Sequence, residues 1–147
     1  MRSMNTCELC TSTGGTLLWQ SEQCRVVRVD DPDYPGFCRV VWNAHISEIT
    51  DLPPDQRMEL MAVVFAVEAV VRSLFQPDKI NLASFGNMTP HLHWHIIPRW
   101  RQDKNFPESI WGRQQRTGAV PVTAVSDRQL ADALLAALAG PGREITK

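Results

Sequence analysis

The sequence predicts an α+β fold, in which an antiparallel sheet of about five strands carries one long helix and a short C-terminal helix. Short apolar and β-branched runs bounded by turn residues occupy positions 16–42, and two further strand-like runs occupy 80–97. Between them, positions 54–75 carry a helical apolar pattern. Because the strands come in consecutive groups rather than alternating with helices, we expect an antiparallel sheet with the long helix packed across it.

The first group of strands is predicted from three short runs separated by glycine, proline and aspartate, which favour turns. These strands are Thr16–Trp19, Cys24–Val29 and Phe37–Trp42, and their order predicts an antiparallel meander. The long helix is predicted over Pro54–Phe75, because its apolar residues recur three or four positions apart. Asp51 or Pro53-Pro54 marks its start, and Pro77 stops it.

The second group of strands is Ile80–Phe85 and Leu92–Ile97, joined by turn residues at 86–90 and ended by Pro98. Residues 100–125 show no clear period, which predicts an irregular surface segment covering a site. A capping-box pattern then opens a terminal helix of about 127–139; its residues are Ser126 and Gln129, followed by Leu130, Leu134, Leu135 and Leu138, with Gly140 as C-terminal cap. We expect one domain over 1–147.

Composition excludes several classes of function. The 147 residues are 44% hydrophobic and 21% charged with a net charge of -1, which disfavours binding to nucleic acid or anionic membranes. The N-terminal residues are polar, and the longest apolar stretch, Met61–Val71, contains a glutamate and is too short to span a bilayer. We therefore expect a cytoplasmic protein without a membrane segment.

Three of the four histidines alternate with apolar residues, at His91, His93 and His95. On a strand this period of two places Leu92 and Trp94 in the core, with the imidazoles in a row on one surface about 6.6 Å apart. Three interpretations follow: polar residues on the wet face of an edge strand, a three-histidine metal site, or an imidazole nucleophile that attacks phosphorus. The strict alternation argues against a wet strand face. Rings this far apart meet around one metal ion only if the strand bends, so the metal site ranks below the imidazole nucleophile.

The run from His91 to Ile97 resembles the H-φ-H-φ-H-φ-φ signature of the histidine triad (HIT) superfamily. The segment Asn43–Leu52 and the helix after it are also similar to this family, so the resemblance covers about 7–99. It implies a HIT-like sheet in which His93 attacks the α-phosphate of a nucleotide and His95 lies close to the transferred phosphate. Asn87 and Thr89 would help to bind that phosphate, although both also suit a turn.

The implied function is that of a nucleotide hydrolase or nucleotidyl transferase with a covalent nucleotidyl-histidine intermediate. It would cleave a phosphoanhydride or phosphoramidate, for example in a dinucleoside polyphosphate, and Ile96–Arg99 resembles the branch that hydrolyses these compounds. The alternative is a nucleotide-binding, zinc-stabilised module without useful catalysis. The resemblance also implies a homodimer and a small-molecule nucleotide substrate, with no organic cofactor.

One position departs from the family pattern. Many relatives carry a further catalytic histidine where this sequence has Phe37. The group that protonates the leaving group is therefore unassigned. His95, a bound water or a residue of the 100–125 segment would have to donate this proton. Otherwise, turnover is slow or the enzyme acts on a different leaving group.

The pair Cys7 and Cys10 has C-x-x-C spacing, which is compatible with metal binding, disulfide exchange or neither. The resemblance to bacterial HIT proteins implies a structural zinc held by Cys7, Cys10, His45 and His91. In the other interpretation His45 flanks the loop before the long helix and the cysteines are reduced and exposed. Cys24 and Cys38 lie among apolar residues and are expected to be buried fillers.

Basic and aromatic residues follow the triad and could offer cations to a polyphosphate and a flat surface to a base. They are Arg99, Arg101, Lys104, Arg113 and Arg116, with Trp100, Phe106 and Trp111. For any single one of these residues, the simpler expectation is that its side chain is solvated or packs on the edge of the domain. Mutation of Arg99 and Trp111 would test the nucleotide-binding interpretation.

Overall fold

The computed structural model of the chain describes residues 4–120 and 122–139, so the C-terminal cap predicted at Gly140 lies outside the described residues. Five antiparallel strands form one sheet in the order β1-β2-β3-β5-β4. The strands are β1 Thr16–Gln20, β2 Cys24–Arg28, β3 Cys38–Trp42, β4 Lys79–Ala83 and β5 His93–Arg99. The α-helices are α1 Glu8–Thr11, α2 Pro54–Phe75 and α3 Asp127–Leu138, and short 3-10 helices span Met4–Thr6 and Ile49–Asp51. The predicted α+β fold is confirmed, whereas the single-turn helix α1 was not expected.

The last strand differs from its prediction at both ends. It begins at His93 rather than Leu92, and Pro98 does not end it, because β5 continues to Arg99. Pairing with β3 stops where Cys38 faces Ile96, so Pro98 pairs only with Ile80 of β4. A strand with one neighbour tolerates proline, since the missing N–H need not interrupt a ladder on the other side.

Helices α2 and α3 cover one face of the sheet and form the main core with it. The predicted capping box of α3 is present: Ser126 Oγ accepts from the Gln129 N–H at 3.1 Å, and Gln129 Oε1 accepts from the Ser126 N–H at 2.8 Å. Leu135 is 47% exposed, because the α3 residues that reach the sheet and α2 are Leu130, Leu134 and Leu138. No helix among the described residues is long and apolar enough to cross a bilayer.

The opposite face of the sheet receives the N-terminal segment. Cys7 and Leu9 pack on Val27 of β2 and Val41 of β3, in a cluster separate from the main core. Val41 is the cross-strand partner of His93, and partners of this kind have side chains on the same face. The N-terminal segment and the triad histidines of β5 therefore share the face that α2 and α3 leave free.

Candidate active site and metal centre

The three triad histidines do not form one evenly spaced row. His93 and His95 lie on β5 with their ring centroids 4.9 Å apart, whereas His91 precedes the strand and turns its ring toward the N-terminal segment. All three are buried, with exposed fractions of 0%, 8% and 6% for His91, His93 and His95. Both the evenly spaced row and the wet strand face are therefore wrong, because the N-terminal segment contacts His91 while the rings of Phe85 and Trp111 pack against His95.

The hydrogen bond at His93 fixes the tautomer of its ring. Nδ1 lies 2.5 Å from the main-chain oxygen of His91, and a carbonyl oxygen only accepts, so Nδ1 carries the proton. In the neutral ring the lone pair is then on Nε2. Burial lowers the pKa of His93, which favours the neutral form. Ser84 Oγ donates to the His93 carbonyl at 2.6 Å and secures the strand at this point.

Aromatic rings surround His95. Its ring centroid lies 5.7 Å from that of Phe37, 6.3 Å from that of Phe85 and 5.0 Å from that of Trp111. Burial lowers the pKa of His95 to about 4, and the positive charges of His93 and Arg39 act in the same direction. At neutral pH His95 is therefore an uncharged hydrogen-bonding group, and its Nδ1 is buried without a partner among the described residues.

A buried ion pair holds Trp111 near His95. Arg99 and Asp103 are 2% and 0% exposed, and Arg99 Nε and Nη2 donate to the two carboxylate oxygens at 2.8 and 3.0 Å. Arg99 Nη2 also donates to the carbonyl of Glu108 at 2.7 Å, three residues before Trp111. Trp111 of the predicted 100–125 segment does lie against His95. Arg99 organises this part of the segment and is neutralised by Asp103, so the expectation that Arg99 offers a cation to polyphosphate is wrong.

The other predicted cations of this segment either have partners in the protein or are exposed to solvent. Arg116 Nη1 donates to the carbonyls of Asp103 and Phe106 at 2.6 and 2.7 Å, and Lys104 pairs with Asp33 at 3.5 Å. Arg101 and Arg113 are exposed.

The two predicted phosphate ligands of the β4–β5 turn lie beside the triad in the chain. Asn87 is exposed and Thr89 is half-buried, and the carbonyl of Thr89 accepts from the His91 N–H at 2.8 Å. This main-chain bond is the turn role considered for Thr89, and it leaves the hydroxyl available. Contact of either side chain with a ligand stays a prediction.

Two side chains of the site were not expected from the sequence. Phe85 follows β4, and Arg39 lies on β3 directly opposite His95. Arg39 alternates with the buried Cys38 and Val40, so strand periodicity places it on the same face as Phe37. That alternation was the available signal for Arg39, whereas the approach of Phe85 to His95 depends on how the turn after β4 folds back.

The four predicted metal ligands converge at one point beside the triad. The donor atoms of Cys7, Cys10, His45 and His91 all lie within 4.8 Å of one another. The His91 Nδ1 atom is 3.5 Å from Cys7 Sγ, 3.4 Å from Cys10 Sγ and 3.3 Å from His45 Nδ1. Tetrahedral bonds of about 2.0–2.3 Å give edges of about 3.3–3.8 Å, so these separations fit one tetrahedral ion.

The protonation of His91 agrees with a ligand role. Its Nε2 atom donates to the Trp42 carbonyl at 2.5 Å, which leaves the lone pair of Nδ1 directed at the two sulfurs and His45. A backbone acceptor on the outer nitrogen is the usual way in which a ligating imidazole is oriented. In the cluster, Cys7 is 1% accessible and Cys10 is half-buried, so neither is a fully exposed thiol. Cys24 and Cys38 are fully buried, as predicted.

Comparison with known proteins extends these observations. The chain is 33% identical over 87 residues to the AP-4-A phosphorylase of Mycobacterium tuberculosis H37Rv, covering 55% of this chain and 45% of that protein. It is 30% identical over 90 residues to the asymmetrical bis(5'-nucleosyl)-tetraphosphatase of Schizosaccharomyces pombe, covering 58% and 50%. The chain thus matches about half the length of these curated relatives.

A solved structure agrees over most of the chain. A histidine triad protein from Marinobacter aquaeolei VT8 is 31% identical, with a TM-score of 0.63 over 86% of this chain and 88% of that one. The HIT domain family model matches residues 12–102, which include the sheet, α2 and the triad. With this motif, this topology and this match, the chain belongs to the histidine triad (HIT) domain family.

Proposed function

We propose that the protein is a nucleotide hydrolase or nucleotidyl transferase that cleaves a phosphoanhydride or phosphoramidate at the α-phosphate, as in a dinucleoside polyphosphate. The observation that carries this proposal is the hydrogen bond from His93 Nδ1 to the His91 carbonyl, which leaves the Nε2 lone pair for attack. The names of the half-length relatives, a phosphorylase and a tetraphosphatase of dinucleoside polyphosphates, support the same substrate class.

The reaction has two displacement steps at phosphorus. In the first, the Nε2 lone pair of His93 forms a bond to the α-phosphorus, the bond to the leaving group breaks, and its electron pair departs with the leaving atom. In the second, water attacks the same phosphorus, the P–N bond breaks with its electrons returning to Nε2, and the proton of water passes to solvent. A nucleoside monophosphate is released.

The remaining groups of the site bind and orient the nucleotide. In this proposal the neutral His95 ring, whose Nδ1 has no partner among the described residues, carries its proton on Nε2 and donates it to a nonbridging phosphate oxygen. Asn87 and Thr89 add donors from the turn. Phe85 and Trp111, with ring centroids 5.3 Å apart, border a cleft of about 350 Å³ that suits a flat base. The predicted homodimer stays a prediction.

The metal assigned to Cys7, Cys10, His45 and His91 is zinc in a structural role. Two thiolates and two imidazoles in a closed tetrahedron are typical of structural zinc, which supplies folding energy rather than a Lewis acid. Such an ion ties the N-terminal segment to the residue whose carbonyl orients His93. The two displacement steps need only the side chains of the protein and water.

A second candidate, a nucleotide-binding module without useful catalysis, is favoured by one observation. Phe37 contacts His95 where a proton donor would serve a poor leaving group, and the rings around His95 from Phe85 and Trp111 are equally unable to protonate. This candidate predicts nucleotide binding without an adduct.

Intact-protein mass spectrometry separates the two candidates. The full chain is incubated with a panel of nucleotides, quenched and weighed, and the modified peptide is sequenced. We expect a nucleotidyl adduct on the peptide containing His93, absent from His93→Ala, with turnover in that variant reduced by about 1000-fold or more. Equal release of nucleoside monophosphate by wild type and His93→Ala would contradict the mechanism, and binding without an adduct would favour the second candidate.

A further inference from the structure

Arg39 is the cation nearest to the triad in the sheet register. Its Cα pairs with that of His95 across β3 and β5, so the two side chains leave the sheet on the same face. Its guanidinium carbon lies 5.8 Å from the centroid of the Phe37 ring, and that ring contacts His95. The charge of Arg39 also lowers the pKa of His95, so its field reaches that ring.

The protein supplies the guanidinium of Arg39 with few hydrogen-bond acceptors and with no ion-pair partner among the described residues. Nη1 donates to the Gly14 carbonyl at 3.2 Å, whereas Nε is buried without a partner in the described part of the chain. Glu8 is the one carboxylate whose charge acts on it, and within residues 4–120 and 122–139 no carboxylate lies within 4.0 Å. A half-buried cation with an unpaired donor is costly unless a ligand completes its hydrogen bonds.

Two other arginines of the sheet, Arg25 and Arg99, have the hydrogen-bond acceptors that Arg39 lacks. Arg25, on the same face, donates to the carbonyls of Leu9, Ser12 and Thr13 and to Asn43 Oδ1. Arg99 is fully paired with Asp103 and two further acceptors. The fold therefore supplies several acceptors to each of these two structural arginines, whereas among the described residues Arg39 has one acceptor, the Gly14 carbonyl, and no paired carboxylate.

We propose that Arg39 binds the phosphate chain of the leaving group, and that the site thereby selects polyphosphate over amine or alcohol leaving groups. This inference rests on the proposed function. When the bond between the α-phosphorus and the bridging oxygen breaks, the electron pair stays on the departing phosphate, and the added negative charge is paired by the guanidinium. A phosphate leaves without being protonated, whereas an amine must take up a proton, which Phe37, Phe85 and Trp111 cannot give.

Binding of inorganic tripolyphosphate tests the site without requiring turnover. Calorimetric titration of the full chain compares wild type, Arg39→Gln, Arg39→Lys and the control Arg128→Gln, whose side chain is 90% exposed on α3. We expect Arg39→Gln to weaken binding about tenfold or more, Arg39→Lys to weaken it less, and Arg128→Gln to match wild type. Equal affinity in Arg39→Gln, or no binding by wild type, overturns the inference.

A spectroscopic measurement on wild type covers the case in which Arg39→Gln fails to fold after losing its bond to Gly14. The ¹H–¹⁵N signal of the Arg39 Nε–H is followed while tripolyphosphate is added. We expect a shift that saturates with the calorimetric binding curve, because a phosphate paired with the guanidinium changes the electronic environment of its Nε–H. A signal that does not move overturns the inference.

Leaving-group selectivity is tested with two substrates of the same nucleoside, a dinucleoside tetraphosphate and a nucleoside phosphoramidate. Arg39→Gln should lower kcat/KM for the tetraphosphate by about 100-fold and lower kcat/KM for the phosphoramidate by a much smaller factor. Equal losses on both would refute the selectivity. If wild type forms no adduct on His93, the proposed function fails, while the tripolyphosphate titration still decides whether Arg39 binds phosphate.

Discussion

The carbonyl oxygen of His91 lies 2.5 Å from the Nδ1 atom of His93, while the ring of the same His91 faces Cys7 and Cys10. One residue thus belongs to the metal cluster through its side chain and fixes the tautomer of the proposed nucleophile through its main chain. Displacement of His91 would therefore affect both the cluster and the orientation of His93. Because both sites depend on His91, an experiment can distinguish an effect on the metal cluster from an effect on catalysis only if metal content and activity are measured in the same samples.

Removal of one cluster thiol should release the metal. We expect about one zinc per chain in the purified wild-type protein and a small fraction of that in Cys7→Ser, because three remaining donors bind zinc much more weakly than four. Elemental analysis measures the zinc, and Cys38→Ala is the control, since it removes a buried thiol from the main core. Equal, substoichiometric zinc in wild type and Cys7→Ser would contradict the assignment.

Chelation should abolish activity only when it also unfolds the protein, because the ion is structural. Turnover and circular dichroism are followed in the same samples as a chelator is added, and the two curves should coincide. Loss of activity in a folded protein would instead indicate an ion that takes part in the chemistry.

The low pKa of His95, about 4, predicts a loss of stability in acid. An unfolded chain protonates this histidine near pH 6.5, so between pH 6.5 and 4 the unfolded state binds a proton that the folded state does not. The free energy of unfolding therefore falls as the pH falls through this window. Above it the contribution is constant. The charged and titratable groups acting on His95 are His93 and Arg39, and its other ring contacts are aromatic.

Urea unfolding at pH 7 and pH 4.5 checks this prediction. Wild type should lose about 2 kcal/mol more stability than His95→Asn between the two values, since the variant lacks the titrating group. Loss of zinc in acid affects both proteins alike and cancels in the comparison. Equal pH dependence in the two proteins would refute the prediction.

The ion pair between Arg99 and Asp103 should contribute strongly to stability. Asp103→Asn leaves a guanidinium that is 2% exposed without a counter-charge, so we expect a loss of about 3–5 kcal/mol in the free energy of unfolding. The control Asp132→Asn breaks an exposed pair with Arg128 and should cost less than about 1 kcal/mol. Similar losses in both variants, measured by denaturant titration, would show that the buried pair has no special role.

Trp111 should act on nucleotide binding rather than on chemistry. Its ring lies 5.0 Å from that of His95 and is 54% exposed, so a base can stack on it. Trp111→Ala should raise KM about tenfold with a smaller change in kcat, in line with stacking of about 1–3 kcal/mol per base. Phe65→Ala, at an aromatic residue of α2 that is 56% exposed, is the matched control. A fall in kcat at unchanged KM would contradict the stacking role.

Local pattern was sufficient for much of the fold. The helix over Pro54–Phe75 and the capping box of Ser126 and Gln129 were predicted with their observed starts, because apolar spacing and caps act over a few residues. The ends of β5 were not, since whether Pro98 is tolerated depends on which strand lies beside it. The path of residues 100–116 was equally out of reach, because it is organised by a charge pair buried beneath it.

The spacing of His91, His93 and His95 was enough to indicate a resemblance to the family, because its chemistry requires histidines at fixed intervals along the chain. The candidate metal ligands came from that resemblance, since the C-x-x-C pair alone left several roles open. The tertiary structure decided what those residues face: it turned His91 away from the other two, neutralised Arg99, and set Arg39 opposite His95. These outcomes depend on burial and on pairing between residues distant in sequence. A side chain's charge and hydrogen bonds are determined by the neighbours that folding brings to it.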